Sequence, residues 1–159
     1  MITNVRIYRQ IALESEVISA EEVRTRRRPI PGQPGRSELI PDPDRRGFKH
    51  AMIAIVFAGM YIEAALHLVA LERLPEDELK RTDHLRLEKR VEALGVSDPN
   101  LLVACKEYRE ARRSLVHEKA GSLPDSQQMR VAQDEARAAV ELVHRIDAAF
   151  GRVNSRGHD

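Results

Sequence analysis

The chain has 159 residues, of which 42% are hydrophobic and only 4% are aromatic, with no tryptophan. This length predicts one domain, and a core built from aliphatic residues favours a helix bundle over a β-sandwich. The formal net charge of +1 excludes a protein that binds nucleic acid through global positive charge, and the single cysteine, Cys105, excludes an intramolecular disulfide and favours a reducing, cytoplasmic location.

Residues 1–44 are predicted to form an N-terminal arm and linker outside the helical region. Over residues 2–23 the periodicity is ambiguous, since Val5 and Ile7 could alternate in a short strand. Four arginines follow within 24–28, and five of the eight prolines lie between 29 and 43. Because dense proline disfavours both helix and central strand, 24–44 is predicted to be irregular and partly mobile. Its arginines could contact RNA phosphates, or they could belong to a solvated linker or a partner-docking arm.

From residue 45 to residue 151 the pattern is helical, and its first helix is predicted over about 45–73. This helix is apolar nearly all round in its middle, which predicts the central helix of a bundle. Residues 51–71 are also long enough to span a bilayer, which takes ~20 residues. Glu63 and His67 interrupt the apolar run, however, and favour a buried helix over a membrane span.

Three further helices are predicted over about 76–94, 98–119 and 124–150. Gly95 is a plausible C-cap of the second, and Pro99 suits the first turn of the third. Short connections between four helices predict an all-α fold, an antiparallel four-helix bundle. Residues 152–159 are expected to form a frayed tail.

The third predicted helix ends in a segment that could carry chemistry, with Tyr108, Arg109, Arg112, Arg113 and His117 in close succession. At roughly 100° per residue, Arg112 and His117 lie about 140° apart around a regular helix. The two side chains could still converge on a groove if the last turn loosens or a second subunit contributes. Arg113, four residues before His117, shares its helix face and is the geometric alternative.

Histidine and arginine together suit RNA cleavage without a metal ion. A neutral imidazole can take the proton of a ribose 2′-hydroxyl, and a protonated imidazole can supply the leaving group. A guanidinium can bind the phosphate and stabilise the charge that develops on it. Because one histidine cannot easily be acid and base in a single step, two copies across a dimer axis would complete the site.

The segment from Arg112 to His117 resembles the signature of the HEPN superfamily, helical-bundle proteins of toxin–antitoxin, phage-defence and RNA-processing systems. The family pattern is an arginine, a polar residue, a few more residues and then a histidine at the end of a core helix. Arg112, Arg113 and His117 match these positions, although the polar position more typically carries Asn, Asp or His. An acid in an otherwise apolar first helix, here Glu63, also resembles the family, and the resemblance covers about residues 46–150.

This resemblance implies a homodimeric endoribonuclease that needs no metal or cofactor, with RNA as substrate and an antitoxin protein as a candidate partner. Arg112 and His117 would be catalytic, with Glu63 in support. Arg113, Arg109 and Tyr108 are the expected substrate-binding residues, although packing is the simpler role for Tyr108.

Several alternatives remain open. Glu63 is expected to be a buried carboxylate that pairs with Arg112 or Arg109. His67 could join that cluster or lie in the core or at its rim, and His50, His84 and His144 lack the spacing of a helical zinc site. The whole domain could instead be a non-catalytic interaction module, or a membrane-associated protein that uses 51–71.

Overall fold

The computed structural model describes residues 4–116 and 125–151, which are helical apart from a two-stranded hairpin. In chain order the elements are α1 (Val5–Thr25), β1 (Arg27–Pro29), β2 (Ser37–Leu39), α2 (Arg46–Arg73), α3 (Glu76–Asp83), α4 (Leu87–Ala93), α5 (Pro99–Val116) and α6 (Asp125–Phe150). The all-α class predicted from the sequence is confirmed.

Helix α2 is the centre of the fold, as its apolar sequence predicts. Its buried positions recur along the whole helix, from Ala51 through Ile55 and Ile62 to Val69. Helices α1 and α6 both pack along it. By length and composition alone α2 could also cross a membrane, but half of its most apolar window is buried inside the protein. That burial is compatible with the core helix of a soluble protein.

Helix α1 corrects the prediction that residues 1–44 lie outside the core. Val5 and Ala12 belong to the same hydrophobic core as α2, and α1 packs on α2 more extensively than any other two elements pack. The buried stripe of α1 continues through Ser15, Ser19 and Val23. Small and hydroxyl-bearing residues on this stripe hide the helical period from a search for large apolar side chains. Packing therefore decides the helix here.

The linker predicted over 24–44 contains an ordered hairpin instead. Strands β1 and β2 pair antiparallel, with Arg28 opposite Glu38. Asp42, which is 6% exposed, then accepts a hydrogen bond from the backbone N–H of Gly47 at 3.0 Å and fixes the start of α2. Arg26 Nη2 lies 3.4 Å from the same carboxylate. These contacts tie the proline-rich segment to the helical core.

The single helix predicted over 76–94 is divided into α3 and α4. Leu85 N–H donates to the Thr82 carbonyl at 3.0 Å, and the next residue, Arg86, has an extended backbone with φ −63° and ψ 153°. Thr82, Asp83 and His84 are all weak helix formers, so three of them in succession favour a break. This break places Leu85 and Arg86 beside α2 and α5.

One polar contact holds three helices together at the end of the core. Asp147 of α6 pairs with Arg9 of α1 at 2.9 Å, and its other carboxylate oxygen accepts a hydrogen bond from the Tyr61 hydroxyl of α2. Both side chains of the ion pair are less than one-fifth exposed. A buried carboxylate that is both paired and hydrogen-bonded specifies how the three helices meet.

Candidate active site

The end of α5 lies against α2, and an ion pair joins them. Arg112 Nη1 donates to Glu63 Oε1 at 2.9 Å, so the pairing expected for Glu63 is present. The expected burial of Glu63 is wrong, because its side chain is 57% exposed and that of Arg112 is 37% exposed. The preceding residue, Ile62, points into the core. Glu63 therefore lies at the edge of the buried face of α2, where a carboxylate stays hydrated.

Tyr108 lies one helical turn before Arg112 on α5 and contacts the same part of α2. Its hydroxyl donates to the backbone carbonyl of Ile55 in α2 at 2.8 Å. A side chain at Gly59 would overlap this hydroxyl, and its Cβ would lie 3.1 Å from Arg112 Nη1. The absence of a Cβ at Gly59 thus allows α5 to approach α2 closely.

The surroundings of Tyr108 also fix its protonation. Burial raises the pKa of the Tyr108 hydroxyl to about 12, with a smaller raising effect from Glu63, and Arg112 acts in the opposite direction. The hydroxyl is therefore neutral at physiological pH, and it is already committed as a donor to Ile55. Tyr108 lines the site, as predicted, but its polar atom serves packing.

Two further arginines of the predicted site differ in their surroundings. Arg109 is 30% exposed, and its guanidinium lies 3.4 Å from Glu88 and 3.7 Å from Glu110. Arg113 is exposed and makes no ion pair within residues 4–116 and 125–151. His117, the predicted acid and base, lies outside the described residues, as do residues 118–124. The distance between His117 and Arg112 is therefore not described.

Arg109 and Arg112 border a cleft of about 220 Å³ between α2, α5 and the α3–α4 break. The cleft combines four guanidinium groups with one carboxylate and an apolar wall; its lining is Gly59, Ile62, Glu63, Leu85, Arg86, Leu87, Arg90, Tyr108, Arg109 and Arg112. Three of these guanidinium groups contact carboxylates, namely those of Glu63, Glu88 and Asp83. Arg86 is the guanidinium of the lining that makes no ion pair within residues 4–116 and 125–151. A concave surface of this kind favours an anion.

Sequence reasoning missed Arg86 and Arg90, which complete this cleft. Arg90 is 12% exposed, and its Nη2 lies 3.4 Å from Asp83 Oδ1. Its Nε is buried and has no hydrogen-bond partner within the described part of the chain. Arg86 directly precedes α4 and Arg90 lies within it, so the two arginines reach the cleft from that short helix. In the single helix predicted over 76–94, their spacing of four residues would place them on one face. In a charged segment that spacing is also typical of a solvated face, so the sequence alone does not single them out.

His67 lies at the rim rather than in the Glu63 cluster. Its Nδ1 is 3.3 Å from Asp83 Oδ1, and both side chains are 40% exposed. Two arginines at the end of α1 also make ion pairs, Arg24 with Glu21 at 2.7 Å and Arg26 with Glu22 at 2.8 Å. Arg28 pairs with Glu38 across the hairpin, so three of the four arginines within 24–28 make ion pairs.

The opposite side of α5 faces α6 across a wider groove of about 1390 Å³. Alanines form much of its floor, and carboxylates stand on both walls; its acidic residues are Asp98, Glu107, Glu110, Asp134, Glu135 and Glu141. The pKa of Glu135 is raised by burial and further by Asp134 and Glu107. This groove therefore carries the opposite charge to the cleft.

Within residues 4–116 and 125–151, no cluster of three or more His, Cys, Asp or Glu side chains could hold a metal ion. No family model, no curated protein and no solved structure matches the chain. A proposal for the function therefore rests on the chemistry of the cleft and on the resemblance of the segment from Arg112 to His117.

Proposed function

We propose that this protein is a cytoplasmic, metal-independent endoribonuclease of HEPN type, the toxin of a toxin–antitoxin or phage-defence pair. The observation that supports the proposal is the position of Arg112 at the edge of a cleft lined by three other guanidinium groups. Such a cluster matches the charge of a phosphodiester. Helices α2 and α3–α6 would form the HEPN-like bundle, and α1 would be an addition to it.

In the proposed reaction, His117 takes the proton from a ribose 2′-hydroxyl and the 2′-oxygen attacks the adjacent phosphorus. The bond from phosphorus to the 5′-oxygen breaks, and that oxygen takes a proton from the His117 of a second copy. The products are a 2′,3′-cyclic phosphate and a free 5′-hydroxyl. Arg112 stabilises the negative charge that grows on the phosphoryl oxygens during attack.

Glu63 is proposed to position Arg112 until substrate binds. An ion pair between such exposed side chains contributes roughly 0.2–1 kcal/mol, so a phosphate can displace the carboxylate at little cost. A guanidinium binds a phosphate bidentately, which compensates for the lost pair. Glu63 therefore aligns the arginine without competing strongly for it.

A second candidate function is a non-catalytic interaction module that binds a protein or nucleic-acid partner. The observation that favours it is the same ion pair, because the Arg112–Glu63 contact links α5 to α2 and could be purely structural. A cation near a helix C-terminus is also favoured by the helix dipole, whatever its function.

One assay separates the two candidates. Purified protein is incubated with single-stranded RNA in EDTA, and Arg112→Ala and His117→Ala are compared with Arg137→Ala, an exposed arginine on α6. Cleavage should fall by about 10²–10³-fold in Arg112→Ala and by at least about 10²-fold in His117→Ala. Arg137→Ala should cleave like the wild type. Absence of cleavage by the wild type, or equal cleavage by all four proteins, would contradict the proposal and favour the interaction module.

A further inference from the structure

The α4 side of the cleft holds positive charge that the proposed reaction does not use. Arg86 is exposed and makes no ion pair within residues 4–116 and 125–151. Arg90 is mostly buried behind it, and its only described acidic contact is the long one to Asp83 at 3.4 Å. A buried guanidinium with an unsatisfied Nε is costly unless something nearby carries negative charge.

An apolar surface lies next to these charges. Leu85, which directly precedes Arg86, is 43% exposed although it lines the cleft. Leu87 and the buried Ile62 continue the same wall. An exposed leucine beside two arginines suits a ligand that is anionic at one end and flat and weakly polar at the other.

The size of the cleft limits what it can hold. Pockets for drug-sized ligands run to roughly 300–1,000 Å³, whereas this cleft has about 220 Å³. One nucleotide unit fits that scale, while several do not. Because Arg112 lines the same cleft, a chain that continues from the bound unit would lie near the arginine.

We propose that the α4 side of the cleft is a nucleotide subsite, in which Arg86 and Arg109 bind a phosphate and Leu85 packs against the base or ribose. Arg109 would exchange its 3.4 Å contact with Glu88 for the phosphate. This inference rests on the proposed function, since it assigns the unit of RNA next to the bond that is cut. Arg90 carries no direct contact in this arrangement. It holds positive charge behind the phosphate and, through Asp83, keeps the α3–α4 break in place.

The test is calorimetric titration with three probes: uridine 3′-monophosphate, uridine and inorganic phosphate. The nucleotide should bind at least tenfold more tightly than either of the other two. Arg86→Gln and Arg109→Gln should each weaken nucleotide binding about tenfold, because each removes charge-assisted hydrogen bonds to phosphate. Leu85→Ser should reduce the difference in affinity between the nucleotide and inorganic phosphate.

Lys89→Gln is the matched control. This substitution also removes one positive charge near the start of α4, but Lys89 is exposed on another surface, beside Glu92. The inference is overturned if this variant loses as much affinity as Arg86→Gln, or if uridine or free phosphate binds as tightly as the nucleotide. Thermal unfolding of each variant checks that the loss does not come from misfolding.

Failure of the subsite and failure of the nuclease have different signatures. If RNA is not cleaved but the nucleotide binds in an Arg86-dependent way, the proposed function fails and the subsite stands. If RNA is cleaved in an Arg112-dependent way, while Arg86→Gln changes neither KM nor nucleotide affinity, only the subsite is wrong.

Discussion

The two sides of α5 carry opposite charge. On one side Arg109 and Arg112 face a small cleft that also contains Arg86 and Arg90. On the other, Glu107 and Glu110 face the carboxylates of α6 across a wide groove. The formal net charge of +1, which counts all the charged residues of the chain, does not reveal this separation. Since charges interact over about 8 Å at physiological ionic strength, a polyanion senses each side separately.

The two sides also differ in how closely they are packed. Towards α2, Gly59 lets the Tyr108 hydroxyl reach the helix backbone, and the ion pair with Glu63 closes the contact. Towards α6, exposed alanines such as Ala138 leave open space. The cleft is therefore a preorganised surface on a close-packed helix pair, while the groove is not.

The largest expected effect tests this difference in packing. Gly59→Leu should lower the free energy of unfolding by about 3 kcal/mol, or Tm by roughly 10 °C, because the new side chain displaces Tyr108 and breaks its hydrogen bond to Ile55. Ala138→Leu, on the open side, should change stability by no more than about 0.5 kcal/mol. Thermal and urea unfolding measure both. Equal losses in the two variants would show that the sides are packed alike.

A second comparison tests the difference in charge. Arg109→Gln should weaken binding of a 2′-O-methyl RNA, which cannot be cleaved, by roughly five- to tenfold, since it removes a charge-assisted contact to phosphate. Glu107→Gln makes a charge change of the same size, two residues away on the groove side. It should alter affinity by no more than about twofold.

Fluorescence anisotropy at low and moderate salt gives both affinities. The effect of Arg109→Gln should shrink as salt concentration rises, because released counterions drive phosphate binding. If Glu107→Gln strengthens binding by as much as Arg109→Gln weakens it, the RNA responds to net charge, and the two sides of α5 are not functionally distinct.

The smallest expected effect concerns the acidic groove. The folded state raises the pKa of Glu135 above its usual value, so this group favours folding most when it is protonated, and that contribution is lost as pH rises through its folded pKa. Glu135→Gln should therefore raise Tm at pH 7, on the order of 1 °C, and have no stabilising effect near pH 4. Thermal melts at the two pH values measure this. If Glu135→Gln raised Tm at pH 4 but not at pH 7, the effect would be opposite to this expectation, and Glu135 would stabilise the fold as a carboxylate.

The sequence by itself predicted the all-α class, the central place of α2 and a pairing of Glu63 with Arg112 or Arg109, of which the structure shows the one with Arg112. A strong local signal accounts for the place of α2, since a helix that is apolar nearly all round is stabilised by burial. The pairing of Glu63 was predicted from an expected burial that the structure does not show, because its side chain is 57% exposed. The end of α2 and the start of α5 also follow from local breakers, Pro75 and Pro99, each within a few residues.

Only the tertiary structure decided the role of α1, the exposure of Glu63 and the membership of Arg86 and Arg90 in the cleft. Helix α1 buries small residues, whose pattern carries little hydrophobic signal. The exposure of Glu63 depends on which neighbours cover α2. The two arginines line the cleft beside the interruption between α3, which ends at Asp83, and α4, which begins at Leu87. Each of these outcomes depends on contacts between segments far apart in the chain, and the local periodicity of the sequence does not predict such contacts.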